Sequence, residues 1–152
     1  MNHESFEARS KELSEALAHI APAELPEFLV QHKKDMLNSR KPFADYVRMK
    51  LKEKGLLKQD VFLAADIPEK YGYELLAQEK HTRQRDLIIR LCFGMKFRPE
   101  EVQEALILYG MAPLYGRFPR DAVLLSAFGS RIYDAADVNQ LLLEHGLAPL
   151  FP

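Results

Sequence analysis

The second half of this chain is written twice. Arg85-Asp86-Leu87-Ile88-Ile89, running on to Phe93-Gly94, returns as Arg120-Asp121-Ala122-Val123-Leu124, running on to Phe128-Gly129, at an offset of 35 residues. Glu101-Val102-Gln103-Glu104-Ala105-Leu106, running on to Gly110-Met111-Ala112-Pro113-Leu114-Tyr115, returns as Asp137-Val138-Asn139-Gln140-Leu141-Leu142, running on to Gly146-Leu147-Ala148-Pro149-Leu150-Phe151, at an offset of 36. One residue has been inserted between the halves. A unit of this period cannot cover its own apolar stripe, so its neighbour must, and the fold is restricted to stacked supersecondary units. Each copy reads as a helix ending at Phe-Gly, an acidic start (Pro99-Glu100-Glu101 or Asp134-Ala135-Ala136-Asp137), a second helix and a glycine stop. The expectation is two helical hairpins, 85–115 and 120–151, forming a short extension of whatever precedes them. Tyr115 and Phe151 end the copies, and so apolar an end must pack on its own domain or serve as a docking surface.

Upstream, helical periodicity continues. Phe6, Leu13, Leu17 and Ile20 fall on one stripe, and Leu25, Phe28, Leu29, Met36 and Leu37 form a second, with the break at Ala21-Pro22. Pro22 and Pro26 suit a helix start, so the second helix is expected to begin between Ala23 and Pro26. Residues 1–40 therefore read as an N-terminal helical arm. From Pro42 a helix presents Phe43, Tyr46, Val47 and Leu51 on one face and closes at Gly55. A short helix over Lys58–Ala65 follows, with Val61, Ala64 and Ala65 inward, ended by Asp66-Ile67-Pro68. A third helix carries Tyr71, Leu75 and Leu76 inward to about Gln78. A polar, basic connection, 79–85, then leads into the apolar helix 86–93.

Two short helices joined by a tight turn make a helix-turn-helix pattern over 41–98. From Phe43 to Val102 the residues resemble the phage-repressor-like helix-turn-helix family of bacterial regulators, also called the xenobiotic-response-element type. The resemblance is carried by Lys54-Gly55-Leu56, by Lys58-Gln59-Asp60-Val61 opening the second helix, by Ala64-Ala65-Asp66-Ile67 at the turn, and by the loop 78–85 before Leu87. It implies an all-α, repressor-like domain that docks on duplex DNA, with Pro68, Glu69, Lys70, Tyr73 and Glu74 toward the major groove. It also implies a homodimer, since repressors of this type read two half-sites, with the arm as a dimer element. The pattern departs from the family at the third helix, where Pro68 stands at the cap and Glu69 and Glu74 on the exposed face. Carboxylates accept from cytosine but otherwise meet phosphates as like charges. Gly72 costs a helix interior about 1 kcal/mol relative to alanine, which points to close approach of a neighbouring helix.

The net charge of −1 conceals an uneven distribution. Residues 1–40 hold 5 basic and 7 acidic side chains, 41–98 hold 13 and 8, and 99–152 hold 3 and 7. A cationic centre can meet a polyanion while the flanks stay away from it. The expected DNA contacts are Lys58, Glu69, Lys70, Tyr73, Glu74, Lys80, His81, Arg83 and Arg85. Lys41, Arg48, Lys50, Lys52 and Lys54 on the first helix are further polyanion candidates. The alternative is a protein-interaction adaptor on the same scaffold, its exposed helix carrying Glu69, Glu74 and Glu79 toward a protein partner.

Enzymatic chemistry finds no support. There is no glycine-rich phosphate loop, His-Glu-x-x-His, paired-cysteine metal motif or nucleophile elbow, and no cofactor is expected. His3, His19, His32, His81 and His145 are scattered. Glu100, Glu101 and Glu104 are the acids a first helical turn attracts. Cys92 sits in the apolar pattern and reads as core. At 152 residues a single core is normal, no apolar run can cross a bilayer, and no secretory signal pattern opens the sequence, so a cytoplasmic protein is expected.

Overall fold

The computed structural model describes residues 5–152, and every regular element among them is helical. Two units are distinguished, residues 1–40 and residues 41–152.

In the first unit, α1 (Phe6–Leu17) starts at Ser5, whose hydroxyl accepts the Ala8 N–H. A 3-10 turn at Pro22–Glu24 leads into α2 (Leu25–Gln31). The expected continuation to Met36 and Leu37 fails because His32 leaves helical geometry. A second 3-10 turn, Lys33–Asp35, then hands over to extended backbone at Met36. Arg9 holds this end on α1 by bonding Asp35 at 2.8 Å, with the His32 ring 3.2 Å away.

The second unit contains α3 (Pro42–Lys54), α4 (Lys58–Ala65), α5 (Glu69–Leu76), α6 (Arg85–Gly94), α7 (Pro99–Tyr109), α8 (Pro119–Gly129) and α9 (Ala135–Glu144). Gly55 closes α3 in the left-handed region at φ 64°, where a side chain would be strained. The N-terminus of α3 has no cap of its own and takes one from a distance, the Gln78 side chain accepting the Ala44 N–H at 2.9 Å. Four aromatic residues join the elements into one core: Phe43 meets Tyr109 edge to face at 4.8 Å and Tyr46 meets Phe97 at 6.1 Å. The α3–α7 contact also buries charge. Glu101 on α7 receives Lys50 at 3.1 Å and Lys54 at 2.8 Å, and both Glu101 and Lys50 are almost fully covered. Burial alone would raise the Glu101 carboxyl, but hydrogen bonds from Lys54, the Arg98 backbone and Lys50 outweigh it and hold the group at about 2.

The two copies of the repeat, α6–α7 and α8–α9, meet reciprocally. Arg85 forms a two-pronged pair with Asp121 at 2.9 and 3.1 Å, while Arg120 forms the mirror pair with Asp86 at 2.8 and 3.0 Å. At the other ends of the same helices Phe93 stacks on Phe128, centroids 3.8 Å apart. Like positions meet like, as across an isologous subunit interface, here within one chain. The same arginines hold the Ala-Pro segments: Arg85 donates to the carbonyls of Ala112 and Pro113, Arg120 to those of Ala148 and Pro149. An amide on the second helix of each copy fixes the segment further, Gln103 gripping Leu114 and Asn139 gripping Leu150 and Phe151. Leu150 and Phe151 are buried on their own domain. Cys92 is core, and burial pushes its thiol well above the ordinary range.

Candidate functional site

The surface to which the sequence assigns a role is built on α4, the turn Asp66-Ile67-Pro68, and α5. Asp66 turns the chain in the left-handed region at φ 55°, and Ile67 anchors the turn, its side chain buried and its N–H bonded to the Phe62 carbonyl at 3.0 Å. From below, the buried Arg90 donates to the carbonyls of Ala65 at 2.9 Å and of Asp66, satisfying acceptors that the end of α4 leaves open. Gly72 lets α5 close on α4: a Cβ there would sit 2.4 Å from the Phe62 ring. The inward set on α4 differs from the sequence expectation, because Phe62 is buried and Ala64 is exposed. Phe62 takes the place because its ring fills the space that Gly72 leaves and meets Tyr73 edge to face at 4.9 Å.

Several assigned residues stand on the surface. Lys58, Glu69, Lys70, Tyr73, His81 and Arg83 are exposed. Lys58 and Tyr73 come together, the ammonium 5.8 Å from the ring centroid. His81 stacks parallel on Tyr109 at 4.7 Å, and the Tyr109 hydroxyl accepts the Thr82 N–H, which fixes the loop after α5. Others are committed elsewhere. Glu74 is half-buried and pairs with Lys80 at 2.8 Å; that bond raises the Lys80 ammonium above its ordinary value, so the two charges neutralise each other. Arg85 is a structural residue, each of its three guanidinium nitrogens donating within the fold, to Asp121, Ala112 and Pro113. Its assignment to DNA is corrected on that ground. Lys50 leaves the cationic surface likewise, buried on Glu101, and Lys54 is bound to the same carboxylate.

Of the exposed assigned residues, Lys58 and Tyr73 line an open cleft of about 660 Å3 between α3, the start of α4, and α5, whereas Glu69, Lys70, His81 and Arg83 stand outside it. Arg48, Lys52, Lys58, Gln59 and Tyr73 supply its polar lining, Leu51, Leu56 and Leu57 its floor and walls, and no carboxylate lines it. Arg48 also bonds Asp45 at 2.7 Å on the open surface. The alternation Lys50, Lys52, Lys54 hides the spacing that matters, which is Arg48 to Lys52, one helical turn apart on one face. Gln59 was not singled out by sequence; its position in the first turn of α4, after a helix start without a side-chain cap, is the signal that pointed to it. Cationic side chains around a concave apolar floor are chemistry suited to an anion that carries apolar or aromatic parts.

Among the described residues no group of three or more His, Cys, Asp or Glu side chains is placed to hold a metal ion, and no helix is long and apolar enough to cross a membrane. Comparison of the chain with protein-family models, with curated proteins and with solved structures finds no match.

Proposed function

We propose that this chain is a DNA-binding transcriptional regulator that docks on duplex DNA through α4 and α5, in the manner implied by its resemblance to repressor-like helix-turn-helix proteins. The observation that supports the reading most is the division of labour among the cations. Lys50, Lys54, Arg85 and Arg90 serve the fold, while Arg48, Lys52 and Lys58 ring a cleft that holds no carboxylate. Lys70 stands one turn from Tyr73 on α5, and Arg83 is exposed in the loop behind it. In this reading the cleft receives backbone phosphate, and Glu69, Lys70 and Tyr73 face base edges. Glu69 is the one acid left on the exposed start of α5, and it suits a cytosine amine.

The test is retention of duplex DNA from a genomic fragment pool as salt is raised. Affinity should fall steeply with salt, and the double variant Lys52→Glu/Lys58→Glu should weaken binding across all sequences and lower the logarithmic salt slope by about 1 per lost phosphate contact. Absence of any retained DNA at low salt would remove the proposal. A second reading, a protein adaptor on the same scaffold, is favoured by Leu63, which is 83% exposed on α4, and by Leu57 beside the cleft. Reversing Lys58 and Arg83 separates the readings: a DNA binder loses affinity for every sequence, whereas an adaptor keeps its partner.

A further inference from the structure

The cleft between α3, α4 and α5 combines two chemistries, and a phosphate uses only one of them. A phosphodiester needs the cations and makes no use of leucine. Yet Leu51, Leu56 and Leu57 form the floor and walls, and the space of about 660 Å3 suits a small organic molecule. Two of these leucines follow from the end of α3. There the Gly55 N–H bonds the Lys52 carbonyl at 3.3 Å and the Leu56 N–H bonds the Leu51 carbonyl at 3.0 Å, a closure that commonly accompanies an apolar contact between the outer two positions. Leu57 is placed against local preference. It stands at the N-cap of α4, where a serine or aspartate would bond the first turn; it makes no such bond and is 66% exposed.

The charges say what kind of molecule would cover these leucines. Among the described residues no carboxylate pairs with Lys52 or Lys58 and none lines the cleft, while Arg48 gives one nitrogen to Asp45 at 2.7 Å. The neighbour of Lys58 is the Tyr73 ring, which carries no formal charge and leaves the ammonium uncompensated. Such a site repels cations and attracts anions. The exposed leucine and the tyrosine ring, itself held by Phe62, favour a flat apolar body over a bare phosphate. The walls are also preformed. The Val61 N–H bonds the Leu57 carbonyl at 3.2 Å at the start of α4, and the Gly72 N–H bonds the Pro68 carbonyl at 2.8 Å at the start of α5, so a ligand has little backbone to order.

We infer that this cleft is a binding site for a small aromatic carboxylate, its anionic group among Arg48, Lys52 and Lys58 and its ring on Leu51, Leu56 and Leu57 beside Tyr73. The inference does not rest on the DNA reading, because the leucines that call for a ring are the part of the cleft that a phosphate leaves untouched.

Fluorescence anisotropy of 2-naphthoate titrated with the full chain tests it, and a chain without tryptophan leaves the probe's signal clear. Naphthoate should bind saturably at one site per chain. The neutral analogue 2-naphthamide should bind about tenfold or more weakly, and inorganic phosphate should displace naphthoate only at about tenfold higher concentration or above. Lys52→Glu/Lys58→Glu should weaken binding about tenfold or more, and Leu57→Asn should weaken it severalfold without lowering the thermal melt. Lys33→Glu/Lys34→Glu, the same change of net charge on the exposed turn after α2, should bind as the wild type does. Absence of saturable binding overturns the inference, and so does naphthamide or phosphate binding as tightly as naphthoate. Equal losses in the two charge-reversed variants overturn it too, since they would reduce the effect to net attraction. No DNA enters the titration, so its failure leaves the duplex reading standing, and failure to retain duplex leaves this site standing.

Discussion

In the first hairpin, α6 is buried without interruption from Ile88 to Gly94, whereas its counterpart α8 buries Asp121, Leu124, Ala127 and Phe128 and leaves Ser126 and Gly129 outside. Leu91 in the first copy becomes Ser126 in the second. The first copy lies between α4 and the second copy, and the second meets the first through the reciprocal Arg-Asp pairs. Two of the positions that the copies share, the Arg-Asp pair and the Phe of Phe-Gly, make the contact between them, while the shared Ala-Pro-Leu segment is held within its own copy. Positions at which they differ record what lies on the far side, helices in one case and water in the other. The second copy thereby acts as the capping unit that a stack of repeats needs.

The widest gap is expected between Glu101 and its counterpart Asp137. Glu101→Gln removes the buried carboxylate that Lys50 and Lys54 share, leaving the buried Lys50 ammonium on the more exposed Glu53 at 3.3 Å, and should cost about 3 kcal/mol in urea denaturation. Asp137→Asn, at an exposed first turn, should cost within about 0.5 kcal/mol. The pH profile sharpens the contrast. Because Glu101 is held at about 2 in the folded chain, its contribution is fully present above the ordinary carboxyl range and is lost as pH falls from there through about 2. The acid limb of the stability curve should therefore flatten in Glu101→Gln and stay unchanged in Asp137→Asn.

A narrower gap separates the glycines of the two Phe-Gly steps. A Cβ on Gly94 would sit 2.6 Å from the Val61 carbonyl oxygen, a backbone atom that cannot step aside, so Gly94→Ala should cost about 2–4 kcal/mol. At Gly129 the nearest atom is Pro99 Cγ at 3.8 Å, and Gly129→Ala should gain up to about 1 kcal/mol by lowering the entropy of the unfolded chain. Equal losses in a thermal melt would mean that Gly129 is packed as closely on the first copy as Gly94 is on α4.

The smallest gap tests the reciprocity itself. The Asp121 side chain is 7% exposed and also accepts the Tyr115 N–H at 2.9 Å, while Asp86 is 45% exposed. Asp121→Ala should cost about 2 kcal/mol and Asp86→Ala less than about 1 kcal/mol, read as midpoints in urea. Similar costs for both would show that burial does not separate the two pairs.

Most of the helical framework was legible because its punctuation is chemical. Pro42, Gly55 and Pro68 bound α3 to α5 as their backbone restrictions demand, and the offsets of 35 and 36 residues locate the hairpins. The arm was less legible: a five-position apolar stripe suggested one helix, but nothing in periodicity reports that His32 leaves it. The surface was least legible, because a cation's role depends on what folds against it. Lys50 and Lys52 look alike in sequence and differ completely in the fold, one beneath α7 and one in the cleft. Arg85 had a signal that went unused. Its Arg-Asp dipeptide recurs at Arg120-Asp121, and an opposite-charge dipeptide repeated at matching helix starts is the arrangement that two stacked copies satisfy by exchange.

The crosswise Arg-Asp pairing also bears on how the protein is made. When Arg85 and Asp86 leave the ribosome, their partners are still some 35 codons away, a wait of roughly 2–7 s at ordinary translation speeds. Through that interval the side of α6 destined for Phe128 is uncovered on a nascent chain. A slow stretch of codons between the two copies lengthens that exposure without altering a single contact in the folded protein.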